Sequence, residues 1–237
     1  MVQYEAGAHE AQMKILRVML LANSNKFADL ARAAGMSNDH ANFHLQQLVK
    51  NGYVCKALKT YGEYELTRAG KEYANRMDTD EAQMEKQPKL SVVVVLERND
   101  GTYLQQQRLK QPYYGFWGHL TGKIRWGETM LEAGARELHE ETGLTATLRV
   151  AGFYHKLDYD SETGELLEDK YFCIIHGVDP QGELLEYTDG QHNTWMTLEE
   201  FDAKDKKFGS VAETIELVTH SETSIAERKY QYDPTDY

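Results

Sequence analysis

The chain has 237 residues, 41% hydrophobic content and a net charge of −12, which suits one large or two modest globular domains. No apolar run reaches the ~18 residues of a spanning helix, and the polar, acidic opening MVQYEAGAHEAQ lacks the basic-then-apolar pattern of a secretory signal. Two cysteines in separate segments, Cys55 and Cys173, do not make a disulfide framework, and neither has the spaced Cys/His partners of a zinc site, so a reducing, cytoplasmic location is expected.

The charge is unevenly spread. Residues 1–77 hold ten Lys+Arg against seven Asp+Glu, and the remainder holds 16 against 31. An acidic second part does not hold nucleic acid by electrostatics alone, whereas the first part can meet a phosphate backbone. In that first part Met13, Leu16, Val18, Met19 and Leu20 give a helical apolar pattern over 9–22. A second helix is predicted over Asn25 to Ala34, stopped by Gly35. A third, capped by Ser37, runs to Lys50 with Ala41, Leu45 and Leu48 as its inward stripe. Asn51-Gly52 turns into a hairpin of Tyr53–Leu58 and Glu63–Leu66, and a last helix reaches about Met77.

Three helices with a glycine-centred turn and then a hairpin is the layout of a winged helix-turn-helix. The stretches LARAAGMSNDHANFHLQQLVKNGYV and YELTRAGKEY resemble the bacterial MarR/ArsR-like winged-helix regulators over residues 1–80. The resemblance implies contact with double-stranded DNA. On the third helix Asn42, Gln46 and Gln47 project outward with groups that can read adenine edges, and Lys50, with Lys59 of the wing, can meet phosphate. That face lacks arginine and carries Asp39, so a winged helix kept for protein contact or for assembling a homodimer is the alternative. A homodimer is the expected assembly.

Residues 81–88 read as a charged linker or helix extension ending at Pro88. The β-branched run Leu90–Leu96 predicts a buried strand, and Asn99-Asp100-Gly101 predicts a hairpin to a partner strand over Thr102–Arg108. Tyr113, Tyr114, Phe116 and Trp117 form an aromatic loop. Strands are expected over Thr145–Asp158 and Lys170–Val178, then a short strand around Trp195. Helices follow at Leu198–Phe201 and Ser210–His220, and a polar tail covers 223–237, either disordered or docked through its tyrosines.

Between these elements lies Gly122–Leu144, GKIRWGETMLEAGARELHEETGL. Glu137, Glu140 and Glu141 stand at i, i+3 and i+4, so a helix projects three carboxylates from one face. Their repulsion is relieved by a hard divalent cation. Nine positions, from Gly122 through Glu128 and Arg136-Glu137 to Glu140-Glu141, Gly143 and Leu144, resemble the Nudix box, G-x5-E-x7-R-E-U-x-E-E-x-G-U with U apolar. The resemblance implies an α/β fold over 89–222, a mixed sheet sandwiched between helices, so the chain is read as a mainly α winged helix followed by an α/β domain.

The Nudix resemblance also implies hydrolysis of a nucleoside diphosphate linked to another moiety, with Mg²⁺ or Mn²⁺. By matching positions Glu137, Glu140 and Glu141 hold the metal, Gly122 adds its carbonyl, Arg136 orients the glutamates and Glu128 supports metal or water. Asp189, before the late Trp195, is the further acid expected from a distant loop, with Glu186 second. Tyr114, Phe116 and Trp117 are candidates for stacking a base, with core packing as the other reading, and His119 and Lys123 are candidates for contacting substrate phosphates. The sequence departs from the family around the box, with Leu120-Thr121 where Pro-Gly is usual and Arg125 where an acid is frequent. No nucleophile-elbow pattern suggests covalent catalysis. An enzyme with an appended DNA-binding-like domain is one reading. The other is a transcriptional regulator whose second domain senses a nucleotide metabolite.

Overall fold

The apolar stripe of the first helix faces inward as its spacing demands: Met13, Leu16 and Met19 of α1 (Glu10–Leu20) are buried. A computed structural model describes residues 10–78, 83–84, 87–220 and 222–237. The chain divides into two units, Met1–Lys86 and Gln87–Tyr237.

In the first unit, β1 (Asn25–Lys26) precedes α2 (Phe27–Ala33), so the second helix starts two residues later than its apolar pattern suggests. Asn25 and Lys26 pair instead with Tyr64 and Glu63. Ser37 accepts a hydrogen bond from His40 N and caps α3 (Asn38–Lys50), which buries Ala41, Leu45 and Leu48 and also His44. The hairpin is formed by β2 (Val54–Lys56) and β3 (Glu63–Leu66), and α4 (Arg68–Ala74) follows. Leu16, Leu30, Leu45, Leu48, Val54 and Tyr73 share one core. The last helix stops short of Met77, and β4 (Met77–Asp78) pairs with β5 (Gln83–Met84) of the expected linker. Residues 81–82 and 85–86 of that linker, and the opening residues 1–9, lie outside the described residues.

The second unit contains two sheets. Its strands are β6 (Lys89–Leu96), β7 (Tyr103–Arg108), β8 (Trp117–Gly118), β9 (Leu120–Lys123), β10 (Thr145–Asp160), β11 (Leu166–Gln181), β12 (Tyr187–Thr188), β13 (Gln191–Met196) and β14 (Ser224–Tyr232). Its helices are α5 (Met130–Thr142), α6 (Leu198–Asp202) and α7 (Ser210–Thr219). The larger sheet runs β14-β10-β11-β6-β9 and is mixed: β14 lies parallel to β10 and β6 parallel to β11, and the other pairs are antiparallel. The smaller sheet, β12-β13-β7-β8, is antiparallel.

The strand β6 is buried on both faces, which explains its unbroken apolar run. Val92 and Val94 pack toward Ala133 and Leu138 of α5, whereas Val93 and Val95 pack toward Val211, Ile215 and Val218 of α7. The larger sheet is therefore layered between α5 and α7.

Two expectations need adjusting. The turn at Asn99-Asp100-Gly101 forms, with Gly101 at φ 83°, and closes a short hairpin stem in which Glu97 bridges Tyr103 antiparallel and Arg98 N donates to the Thr102 carbonyl at 2.9 Å. The stem goes no further: β7 continues into the other sheet, because both edges of β6 are already taken by β11 and β9. Residues 223–237 do dock through their tyrosines, but as a strand of the α/β domain and not as a tail. Their strand β14 pairs with β10 from Ser224 opposite Gly152 to Tyr232 opposite Asp160. Alternate positions carry Ala226, Tyr230 and Tyr232 inward while Glu227, Lys229 and Gln231 face out, so average polarity hides a half-buried strand.

Candidate active site

Helix α5 is fixed at both ends. Thr129 and Glu132 form a reciprocal capping box at its start, and Gly143 takes the left-handed conformation, φ 73°, at its close. Its apolar side, Ala133 and Leu138, binds it to the sheet. The opposite side presents the glutamates, and Arg136 sits among them as a hub. Its Nε and Nη2 donate to Glu128 at 2.5 and 2.8 Å, Nη1 donates to Glu137 at 2.8 Å and to Glu140 at 3.2 Å, and Nη2 also reaches the Lys123 carbonyl at 3.0 Å. The Arg136 guanidinium, with the Arg125 amide, holds the Glu128 carboxyl down at about 2. Arg125 donates to Glu140 at 3.1 Å, so the residue that departs from the family pattern neutralises a box carboxylate from outside.

Gly122 lies in β9 opposite Val92, and a Cβ there would fall 2.0 Å from Glu137 Cδ. Only a glycine lets the backbone approach this carboxylate so closely. Glu141 is less exposed than Glu140. Its two oxygens accept from Gln191 Nε2 at 2.9 Å and Gln106 Nε2 at 3.0 Å. Burial raises its pKa, the two glutamine bonds oppose the shift, and the nearby Glu137 adds to it. Asn193 completes this network, donating from Nδ2 to the Glu141 carbonyl at 2.8 Å. Among the described residues, no three His, Cys, Asp or Glu side chains are gathered as a ready-made metal cage.

A cavity of about 640 Å³ opens beside these groups, within the size range of small-molecule sites. Gly122, Lys123, Glu137 and Glu141 line one part of it, and Arg108 and Lys110 line the part beside β7. Lys89, Lys156, Lys170, Asp158 and Glu168 line the larger sheet, and Phe208, Ser210 and Thr214 close it at the start of α7. Cations outnumber carboxylates along this wall, within an otherwise acidic half of the chain.

Of the side chains expected to contact substrate, Lys123 and His119 line the cavity. His119 is buried, with Nδ1 3.3 Å from Gln105 Nε2, and burial pushes its pKa down to about 4, so near neutrality it is uncharged and offers no cation to phosphate. The three aromatic candidates do not line the cavity. Phe116 packs with Tyr113 and Tyr232, Trp117 joins the core around Val93 and Phe201, and Tyr114 is 54% exposed. Packing claims the first two because large rings are worth most when fully buried. Asp189 stands exposed in the turn between β12 and β13, while its neighbours Thr188 and Gln191 make the contacts to Glu141. Glu186 is exposed as well. The outward residues of α3 are placed as projected, with Asn42, Gln46 and Lys50 exposed, Gln47 half-buried and Lys59 exposed beyond β2.

Sequence reasoning missed the glutamine-asparagine network and the lysines of the sheet wall. One signal for the first was available: Gln105-Gln106-Gln107 is a polar run inside a predicted strand, and a strand with one buried face must satisfy such groups internally.

The chain is 33% identical over 86 residues to an octanoyltransferase from Myxococcus xanthus, covering 36% of this chain and 24% of that protein. It is 38% identical over 69 residues to an RNA pyrophosphohydrolase from Erythrobacter litoralis, covering 28% of this chain and 42% of that protein. The chain thus spans less than half the length of these curated relatives, whose names point to different activities. Among solved structures it is similar to the NUDIX domain of Shewanella oneidensis NrtR complexed with ADP ribose, at 19% identity and a TM-score of 0.49, over 65% of this chain and 97% of that one. The NUDIX domain model matches residues 87–217, more than half of the chain and the whole of the glutamate-bearing helix. Through its second unit, the chain belongs to the Nudix family.

Proposed function

We propose that the second unit, with its domain taken as 89–222 and now extended by β14, hydrolyses a diphosphate linkage in a nucleotide or nucleoside-diphosphate derivative with Mg²⁺ or Mn²⁺. The observation that carries this reading is that Glu137 and Glu141 line the same cavity as Lys123, Arg108 and Lys110. The donor set fits a hard divalent cation. It consists of oxygens only, from the Gly122 carbonyl, Glu137, Glu140 and Glu141, and the missing Cβ of Gly122 keeps the backbone against the Glu137 carboxylate. When bound there, the cation would neutralise diphosphate oxygens and acidify a water.

The chain's own groups do the rest. Lys123, Arg108 and Lys110 draw the polyanionic diphosphate into the cavity and hold it beside the glutamates. Arg136 holds Glu128, Glu137 and Glu140 in place through its ion pairs. Gln106 and Gln191 fix the Glu141 carboxylate, and a carboxylate beside the attacking water accepts its proton. The test is to incubate the full chain and Mg²⁺ with nucleoside di- and triphosphates, ADP-ribose, NAD and dinucleoside polyphosphates. Turnover of at least one is expected, and tight binding of one without turnover of any would refute the enzyme.

A second reading concerns residues 1–80. We infer a winged helix-turn-helix that contacts double-stranded DNA through Asn42, Gln46, Gln47, Lys50 and Lys59, in a cytoplasmic homodimer. What supports it is the solvent-facing polar side of α3 above a buried Ala41-Leu45-Leu48 stripe, followed by a hairpin. Hydrolysis or sensing of a nucleotide would then serve regulation. Binding to DNA from the chain's own promoter region should weaken steeply with salt, whereas a salt-insensitive or absent complex would leave the unit as a protein-contact module.

A further inference from the structure

The strand register sets three lysines side by side. Lys156 of β10 is opposite Lys170 of β11, and Lys170 is opposite Lys89 of β6. All three line the cavity. Like charges directly across a sheet destabilise it, and burial sharpens the cost. The Lys156 side chain is only 6% exposed.

Two carboxylates answer three ammonium groups. Lys156 Nζ lies 2.8 Å from Asp158, Lys89 Nζ lies 2.9 Å from Glu168, and Lys170 shares that same Glu168 carboxylate. With all three lysines protonated, the balance within the row is positive. Burial lowers the Lys170 pKa to about 7, with Lys156, Lys89 and Arg108 adding to the shift and Asp158 opposing it, so a further anion beside Lys170 restores its proton. A purely structural role does not account for this arrangement, since apolar side chains of similar volume hold a sheet face at least as well as buried charges do. In the next row on the same face, Tyr154 and Phe172 are in fact aromatic, beside Ser91. The row is also reachable: the Lys89 side chain is 57% exposed.

We propose that the Lys89-Lys170-Lys156 row is a second anion subsite, which receives a phosphate monoester or carboxylate on the far moiety of the substrate. This rests on the diphosphate hydrolase reading above and narrows its substrate class. The register gives the span. Lys89 is three residues along β6 from Val92, the partner of Gly122. With ~3.3 Å per residue and ~4.8 Å per strand, the row begins roughly 11 Å from Gly122 and ends roughly 17 Å from it. A single sugar or nucleoside bridges that distance, so the anion belongs to the group beyond the diphosphate and not to the diphosphate itself. The row's excess charge gives it a reason to select such a compound over a neutral analogue.

Matched pairs of compounds test this with the full chain. NAD and NADP differ by one phosphate monoester, and UDP-glucose and UDP-glucuronate differ by one carboxylate. Calorimetric binding is measured first in the presence of a chelator, and kcat/KM is then measured with Mg²⁺. In at least one pair the anionic member should bind about tenfold tighter, and which pair responds separates the phosphate from the carboxylate. In Lys170→Met that ratio should fall close to unity. In Lys89→Gln, an exposed change that spares the core, it should fall about threefold.

Equal binding within both pairs overturns the subsite. So does a preference that survives Lys170→Met in a protein with a wild-type circular dichroism spectrum and melting curve. Should Lys170→Met not fold, an unchanged ratio in Lys89→Gln is equally decisive against it. A binding preference without hydrolysis of any compound supports the subsite and refutes the hydrolase, whereas hydrolysis without preference refutes the subsite alone.

Discussion

The helix wall, which meets the cavity at Glu137, gathers Glu128, Glu137 and Glu140 around Arg136, whereas the sheet wall gathers Lys89, Lys156 and Lys170 around Asp158 and Glu168. One wall has a surplus of carboxylate and the other a surplus of ammonium. Each is costly alone, and each is suited to one end of an elongated anionic substrate: a cation-assisted diphosphate at the helix, a second anion at the sheet. The walls also differ in solvation. Glu140 keeps 48% of its side chain exposed, while Lys156 and Asp158 are almost fully buried. Chemistry that must bind and release a hydrated cation belongs at the wetter wall, and fixed recognition at the drier one.

The largest effect expected from breaking this division is at the helix. Glu137→Gln should lower kcat about 10⁴-fold with the fold intact, measured by initial rates at saturating Mg²⁺ beside a circular dichroism spectrum. A mild loss would move the chemistry away from this wall. At the sheet the main cost should be stability. Asp158→Asn leaves the Lys156 ammonium buried without its counter-charge and should destabilise by about 3–5 kcal/mol, read from urea denaturation. A loss below about 1 kcal/mol would mean that Lys156 finds water or loses its proton cheaply.

Gly122→Ala joins the two readouts. Its Cβ collides with the Glu137 carboxylate, so a loss of about 1–3 kcal/mol together with reduced kcat is expected, and unchanged kcat would show that Glu137 can withdraw without consequence.

The smallest effect lies on the outer side of the sheet. His155 bonds Glu227 at 2.7 Å and Asp169 at 2.9 Å and stacks on Tyr171. Burial disfavours its charge, but the two carboxylates outweigh burial and hold its pKa above the ordinary 6.5. A raised histidine pKa gives stabilisation that is complete below about 6.5 and is lost as pH rises through the raised value. Thermal melts of wild type and His155→Gln should therefore differ by at most about 1 kcal/mol in acid and converge in alkali. A gap that widens with pH would contradict the assignment.

Much of the helix wall was legible beforehand, because its geometry is local. The i, i+3, i+4 spacing and the nine-position pattern from Gly122 to Leu144 are confined to one helix and its flanks. The aromatic loop was not legible, since Tyr113, Tyr114, Phe116 and Trp117 look alike until a core claims some of them. Phe116 and Trp117 went to the interior and Tyr114 to solvent. Asp189 faces solvent for a related reason: a turn residue's direction is set by the strand partners around it, and Thr188 and Gln191 took the positions against α5.

The sequence by itself determined the two-part organisation, the family of the second part and the carboxylate-bearing helix, because caps, turns and helical periodicity are short-range interactions written in neighbouring residues. Only the tertiary structure decided that Lys89, Lys156 and Lys170 share a row, that Gln106 and Gln191 hold Glu141, and that residues 224–232 add a strand. Those facts depend on register between strands far apart in the chain, where a shift of one residue would turn every side chain to the opposite face.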